Sequence, residues 1–439
     1  MIDSFFSLLQ AVPGDRPCLY WDENVCSYAE VLDEAHVLRC RLGLARTQRV
    51  VLHGLSAREL IPALLALDGE VEAVLLLPRA LPLNWRDRLV SQGGCTHHFD
   101  GSALNALPSA SMARPFLGRT RWLMATSGTT GLPKLVEHDL ASLVHRCQRD
   151  CLRGAEFVWG LLYDPARFAG LQVLLQALLA GSALALMDNL PIERQATLLG
   201  QYQVNALSAT PSLWRRLLMD ERSAWLPLRQ VTLGGEIADA AILQALRSRY
   251  PRARLVHIYA STEAGMGFAV RDGLPGFPAR WLVTGEAGVN LRIRDDNHLL
   301  IRPQLATGGA EVLRRMDSEG YLDTDDLVCQ QGERVLFLGR GNGVINVGGN
   351  KVNPEQIEAF LRAITGVMDA RVYGQRNSMM GQLVIAELVA APDCERSVLR
   401  HDVLRHCRAG LKRWQVPALL KFVDVLSETP AGKRERIVV

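Results

Sequence analysis

The chain has 439 residues, 48% of them hydrophobic and 22% charged, with a net charge of +3. That length exceeds one ordinary domain and supplies a sizeable core. So small a charge lacks the basic bias of nucleic-acid and membrane-surface binders, and neither partner is expected. The nine scattered cysteines form no Cys-x-x-Cys pair, which argues against a zinc site and suits a reducing, cytoplasmic setting. The N-terminus carries Asp3 and no basic residue before Asp15, so it reads poorly as a signal peptide. The most apolar stretch, 171–187, is broken by Gln172, Gln176 and Ser182. It is short for a membrane span and predicts a buried helix followed by a strand.

In chain order, 27–44 reads as a helix with Ser27 as N-cap and Glu30 three residues on, a capping-box pattern. Strand 49–53, helix 57–67 and strand 73–77 follow. Alternation continues through strands at 122–124, 184–187, 206–209, 231–233 and 255–259, with helices at 171–179, 191–202, 212–218 and 240–250. Apolar strands alternating with helices predict parallel sheets covered by helices. After Arg271, short Val/Ile/Leu runs separated by Gly, Asp and Asn predict a small β-rich subdomain over about 271–338. From 344 the pattern becomes strand, helix, two strands, helix and strand, a compact α+β unit. The expected fold class is therefore α/β: a large N-terminal body of mostly parallel, helix-covered sheets with a small β-rich subdomain (1–341), then a mobile C-terminal α+β domain (342–439).

The chemistry begins at Thr126-Ser127-Gly128-Thr129-Thr130-Gly131-Leu132-Pro133-Lys134. Glycines let the backbone turn and expose successive N–H groups, hydroxyls add donors, and lysine adds positive charge, which together make a cradle for phosphate oxygens. It is not the Walker pattern, because Pro133 rather than glycine precedes the lysine. Further on, Gly234-Gly235-Glu236 ends one strand. Tyr259-Ala260-Ser261-Thr262-Glu263-Ala264-Gly265 follows the next, at the strand ends where open α/β sheets bind ligands. Tyr321 to Asp326 offers carboxylates suited to sugar hydroxyls. The run 339–343 holds three glycines, a hinge signal, and Pro430-Ala431-Gly432-Lys433 puts a lysine on a Pro/Gly loop.

Taken in order, TSGTTGLPK, YASTEAG, YLDTDD, GRGNGVINVGGNKVNPEQIE and PAGKRER resemble the adenylate-forming superfamily of acyl- and aryl-CoA ligases, adenylation domains and luciferases. The likeness spans residues 126 to 436, while the first hundred residues agree in texture only. It implies two half-reactions. A carboxylate attacks the α-phosphate of ATP, giving acyl-AMP and pyrophosphate. The thiol of CoA, or of a carrier-protein phosphopantetheine, then takes the acyl group and releases AMP. Bringing two anions together calls for charge neutralisation and alignment.

The resemblance implies these roles. Thr126, Ser127, Thr129, Thr130 and Lys134, with Gly128 and Gly131 shaping the loop, hold the β- and γ-phosphates. Thr262 contacts the α-phosphate. Glu263 ligates Mg²⁺, a hard cation. Tyr259 packs on adenine beside Gly235 and Glu236, and Asp326 with Arg340 holds the ribose. Lys433 reaches the reacting carboxylate and α-phosphate, and its loss is expected to slow adenylation on the order of 10²-fold. Asn342 is the hinge, and Gly348, Gly349 and Lys351 form the loop presented for thiol transfer.

The acyl pocket is expected to be lined by Phe168, Ala209, Thr210, Pro211, Gly234 and Ala260. Counting back from Gly181, Phe168 stands where amino-acid-activating relatives place an aspartate for the α-ammonium. A phenylalanine cannot pair that charge, and burying it unpaired is costly. The substrate is therefore expected to be an aryl or aliphatic acid without an α-amino group. Asp164 is the competing candidate, since a gap of four residues restores the aspartate. The chain departs from the family pattern at Asp325, where glycine is usual, at Asn342, where an acid is usual, at Asn346, where lysine is common, and at Ala166, where many ligases have histidine. Two other outcomes stay open: an enzyme loading a carrier protein in trans, and a non-catalytic nucleotide-binding relative.

Overall fold

The computed structural model describes residues 4–108, 118–126, 133–187, 190–262, 265–303, 312 and 316–427. Two largely parallel sheets form the body. The first has six strands, in the order Leu104–Ala106, His97–Phe99, Arg49–His53, Ala73–Leu77, Arg121–Ala125, Leu135–Asp139, with antiparallel strands at both edges. The second has eight. Its parallel interior runs Arg254–Ser261, Gln230–Gly234, Ala206–Ala209, Val158–Leu161, Ala183–Leu186, Pro17–Trp21. Antiparallel strands Gly265–Val270 and Asn24–Ser27 cover its edges.

The alternation expected from the sequence is what forms these sheets. The helix at Tyr28–Arg41 starts at Ser27 with a complete capping box to Glu30, and a second box joins Ser56 to Glu59 before Ala57–Leu67. The apolar stretch from 171 is the buried helix Phe168–Leu179 followed by strand Ala183–Leu186. Leu171, Leu174, Leu175 and Leu178 of that helix join the core that fuses both sheets, and this burial, rather than an amphipathic stripe, holds it in place.

A third sheet, wholly antiparallel, joins Phe277–Pro278, Arg334–Arg340, Leu322–Gln331, His298–Arg302 and Asn290–Ile293. The last unit places helices Pro354–Arg362 and Arg396–Gly410 on a sheet built around the long hairpin Val367–Asn377 and Gly381–Ala390. All nine cysteines are free thiols. Among the described residues no helix is long and apolar enough to cross a membrane.

Candidate active site

Two neighbouring parallel strands end together and carry the centre of the site. Gly234 pairs with Ile258 in register, so the Gly234–Glu236 turn lies beside Tyr259, Ala260 and Ser261. The structure extends the second strand through Ser261, so Tyr259, Ala260 and Ser261 belong to the strand itself. Gly235 takes φ +81°, a conformation glycine adopts without strain. The turn swings Glu236 back, and its carboxylate accepts the Ser212 N–H at 2.9 Å. With Thr210 accepting from the Leu213 N–H at 3.1 Å, it satisfies the start of helix Pro211–Met219.

Tyr259, Asp326 and Arg340 form one hydrogen-bonded set. The Tyr259 hydroxyl donates to Asp326 Oδ2 in a short contact, and Arg340 Nε donates to Asp326 Oδ1 at 3.2 Å. Asp326 and Arg340 face each other across a β-hairpin, which fixes their spacing. Burial pushes the Asp326 carboxyl up, against the pull of Arg340 and Tyr259. Burial and the Asp326 charge push the Tyr259 hydroxyl well up, so it stays a donor.

The Tyr259 ring differs from its expected use. It stacks on Phe268 and Phe337 at centroid distances of 5.1 and 5.2 Å, within 13° and 9° of parallel. Its ring is thus committed to protein packing, and its hydroxyl positions Asp326.

Strand Arg121–Ala125 leads into the run expected to hold phosphates, whose base is closed by the Thr126 N–H donating to the Lys134 carbonyl at 2.8 Å. Ser127, Gly128, Thr129, Thr130 and Gly131, with Glu263 and Lys433, lie outside the described residues. Ala125 and Thr262 line one cavity, which brings the base of the loop to the Thr262 strand end.

That cavity measures about 600 Å³ and also takes in Phe168, Thr210, Gly234 and Ala260. Gly170 shapes the Phe168 end, because a Cβ there would stand 2.3 Å from the Asp164 carbonyl oxygen; only glycine lets the 163–167 turn fold over the helix. Ala209 is a correction: it is fully buried in the core behind the strand and does not line the space. Pro211 is likewise buried in the first turn of its helix. Asp164 faces the cavity, but its carboxylate accepts the Arg79 and Ala166 N–H groups at 3.1 and 2.9 Å.

His138, which the sequence reading missed, does not line the cavity but packs behind two residues that do, Phe168 and Thr262. It is 4% exposed, its ring lies 5.7 Å from that of Phe168, and its partner is the Thr262 backbone. Burial lowers its pKa to about 4, against weaker opposing effects of Thr262 and Asp139. The available signal was the alternation of strand Leu135–Asp139, in which Val136 and His138 face inward.

Gly341–Gly343 forms one 3₁₀ turn containing Asn342 between the third sheet and the last unit. Gly348 and Gly349, at φ +56° and +85°, form a two-residue turn between strands Ile345–Val347 and Asn350–Val352, with Lys351 exposed on the second. Both angles suit a type I′ hairpin, which explains the glycine pair. Among the described residues no cluster of three His, Cys, Asp or Glu side chains forms a metal site.

With this geometry established, comparison with known proteins gives a consistent answer. The AMP-binding enzyme model matches residues 118–314, and the AMP-binding enzyme C-terminal domain matches 356–433. A 2-succinylbenzoate–CoA ligase of Listeria innocua is 26% identical over 335 residues, covering 73% of this chain and 69% of its own. A probable 2-succinylbenzoate–CoA ligase of Mycobacterium tuberculosis is 29% identical over 335 residues, covering 72% and 82%. The crystal structure of the anthranilate CoA ligase AuaEII with anthranoyl-AMP superposes with a TM-score of 0.78 at 16% identity, covering 98% and 95%. That likeness carries the fold, and the two family models carry the assignment: the chain belongs to the AMP-binding enzyme family.

Proposed function

We propose that this enzyme is an ATP-dependent acid–thiol ligase. It activates an aryl or aliphatic carboxylic acid without an α-amino group as acyl-AMP, releases pyrophosphate, and transfers the acyl group to the thiol of CoA. The observation that carries this reading is that one cavity joins Thr262 and the base of the phosphate loop to Phe168, Gly234 and Ala260. Nucleotide and acid therefore meet at one pair of strand ends.

Several features support the assignment of roles. The Asp326–Arg340 pair, held by Tyr259, gives a carboxylate for ribose hydroxyls. Lys134 and the hydroxyls of 126–130 suit the β- and γ-phosphates. Mg²⁺ goes to Glu263, and Lys433 assists attack on the α-phosphate by neutralising charge between two anions. Asp164 is engaged by two backbone N–H groups, that of Ala166 in its own loop and that of Arg79 in a remote one, and Phe168 stands at the cavity wall, which favours an acid without an ammonium group. CoA as acceptor follows the relatives' names.

The test is acid-dependent ATP–pyrophosphate exchange over a panel of aryl acids, including 2-succinylbenzoate, fatty acids and α-amino acids. Exchange with aryl or fatty acids, followed by CoA-dependent AMP release, is the expected result. Exchange with amino acids alone would move the specificity contact to Asp164. AMP release that needs a phosphopantetheinylated carrier would replace CoA as the acceptor. Absence of exchange with every class would overturn the ligase reading.

A further inference from the structure

The cavity does not stop at the acyl subsite. One face of strand Arg254–Ser261 lines it at Arg254, Val256, Ile258 and Ala260, and one face of the neighbouring strand lines it at Gln230, Thr232 and Gly234. Helix Phe168–Leu179 forms the opposite wall from Phe168 through Gln172 to Gln176. Ala260 and Arg254 are separated by ~20 Å of strand at about 3.3 Å per residue. The helix is 12 residues long, about 18 Å at 1.5 Å per residue. The slot thus crosses the sheet from the nucleotide end to the far edge of the strands.

The far mouth is basic. Arg146, Arg153, Arg254 and Arg271 line the cavity there. They lie close enough to act on one another. Arg254 has its pKa lowered by burial, then by the charges of Arg271 and Arg153. Arg146 is lowered by burial, with Arg271 adding to the effect and Glu286 opposing it. Among the described residues the Arg271 side chain, just past strand Gly265–Val270, donates only to the Ala269 carbonyl, at 3.2 Å, and neither Arg153 nor Arg254 has a carboxylate partner.

Two nearby carboxylates do not cancel this charge. Asp150 accepts the Arg153 N–H at 3.1 Å and caps a short helical turn, and Glu286 opposes the lowering at Arg146, one carboxylate beside four guanidinium groups. The C-terminus of helix Phe168–Leu179 adds about half a negative charge. The mouth stays positive at the end of a slot whose middle is walled by neutral side chains such as Val256, Ile258, Thr232, Gln172 and Val173, while at the Phe168 end the lining residues Arg167 and Asp164 act on each other with opposite charge.

We propose that the acid activated here is long and carries a second carboxylate, which the Arg146–Arg271–Arg254–Arg153 arc binds at the far mouth while the first carboxylate reaches the nucleotide. Arginine is suited to this, because its planar fork pairs a carboxylate bidentately. Allowing several ångströms for the arginine side chains, roughly 12–15 Å of the ~20 Å of strand separates the two ends, a span for a chain of about a dozen carbons. The inference rests on the ligase reading above and adds the class of acid.

The experiment is acid-dependent ATP–pyrophosphate exchange with α,ω-dicarboxylic acids of increasing length, against monocarboxylic acids of the same length. It uses the full-length enzyme and its R254Q and R271Q variants. 2-Succinylbenzoate is included as an acid whose second carboxylate stands on a short scaffold. The wild type is expected to favour the long diacid over its monoacid about tenfold or more in kcat/KM, through KM. Each variant is expected to shrink that ratio towards one, and both positions are exposed, so the fold is kept. Monoacids used as well as diacids, or a preference that survives in both variants, would overturn the distal-anion site and leave the ligase reading standing. Exchange with no acid at all would overturn both.

Discussion

Arg362 in the C-terminal unit reaches Asp239 in the body, with Nη2 at 3.0 Å and Nε at 3.1 Å from the same carboxylate oxygen. The contact is nearly closed to solvent, at 9% and 12% side-chain exposure. Arg215 approaches the same oxygen at 2.7 Å, while Glu358 and Asp369 each lie 3.7 Å from Arg362. One carboxylate thus ties the two units together on the far side of the 341–343 turn. Burial alone would raise the Asp239 pKa, but Arg215 and Arg362 outweigh it and hold the carboxyl below its usual range.

This latch predicts a measurable docking energy. Asp239 also accepts the Ile242 N–H at 3.0 Å as an N-cap, and asparagine caps as well, so Asp239→Asn removes the charge and keeps the helix start. Asp239→Asn and Arg362→Gln should each loosen the C-terminal unit by up to about 3–5 kcal/mol, the cost of breaking a buried pair from one side. Limited proteolysis at residues 341–343 should speed up in both. The double variant should be non-additive, as expected for groups in contact; additive rates would dismiss the latch. A lowered Asp239 pKa means that the stabilisation is complete above the ordinary carboxylate value and is lost as pH falls through the folded one. The loss should begin as pH falls through the ordinary carboxylate value of about 4, and acidification past the lowered folded value should mimic Asp239→Asn.

Much of this arrangement was legible in the chain. Ser27-x-x-Glu30, the apolar strands and the helices between them gave the layered sheets, because each signal lies within a few residues. The N-terminal hairpin Pro17–Trp21 and Asn24–Ser27 was missed. Its turn, Asp22-Glu23, takes positive φ of 40° and 67° without glycine or asparagine, and its sheet partner is remote, with Leu19 pairing Leu184. At the site, the motifs singled out Gly235, Tyr259 and Asp326 as candidates, but the rings that stack on Tyr259 come from separate strands. The basic mouth is assembled from residues between 146 and 271 with no shared local pattern. Ala209 was misplaced because period-two alternation needs an anchor that the sequence alone does not provide.

His138 should impose a pH dependence of its own. Its folded pKa near 4 lies below the ordinary value of about 6.5. Between these two values the unfolded chain holds the proton and the folded chain does not. Stability therefore rises with pH through that window, is complete above it, and is lost on acidification. The span amounts to on the order of 3 kcal/mol. Urea midpoints for His138→Gln should change less than those of the wild type between pH 7 and pH 4. Parallel curves would show that His138 titrates normally.

Asp325 occupies a glycine conformation, φ +60°, at the position where the motif pattern predicts glycine. Its N–H is held by Asp323 Oδ1 at 2.8 Å, an Asx turn that makes the angle tolerable. Its charge helps to raise the Asp326 pKa. Asp325→Gly should relieve up to about 1 kcal/mol of backbone strain, partly offset by the freer unfolded chain. It should also lower the ATP KM, as Asp326 loses a like-charged neighbour. Unchanged stability together with a higher ATP KM would mean that the carboxylate has been recruited to the nucleotide site.

Asn342 sits in the single 3₁₀ turn between the units, where φ falls near −50° to −70°. Proline accepts that angle but permits almost no other. Asn342→Pro should therefore keep the present arrangement while blocking rotation of the C-terminal unit. The turn is closely packed: a Cβ at Gly341 would lie 2.8 Å from Asp325 Oδ1, and one at Gly339 would lie 2.2 Å from Glu355. Free rotation is thus confined to a few bonds, and fixing one of them should have a large effect. Pyrophosphate exchange is expected to survive and CoA-dependent AMP release to fall by at least about tenfold, as for other conformationally gated steps. Loss of both activities in a folded variant would place the pivot elsewhere. Retention of both would mean that the two half-reactions share one domain arrangement, and that the Arg362–Asp239 contact stays closed throughout the cycle.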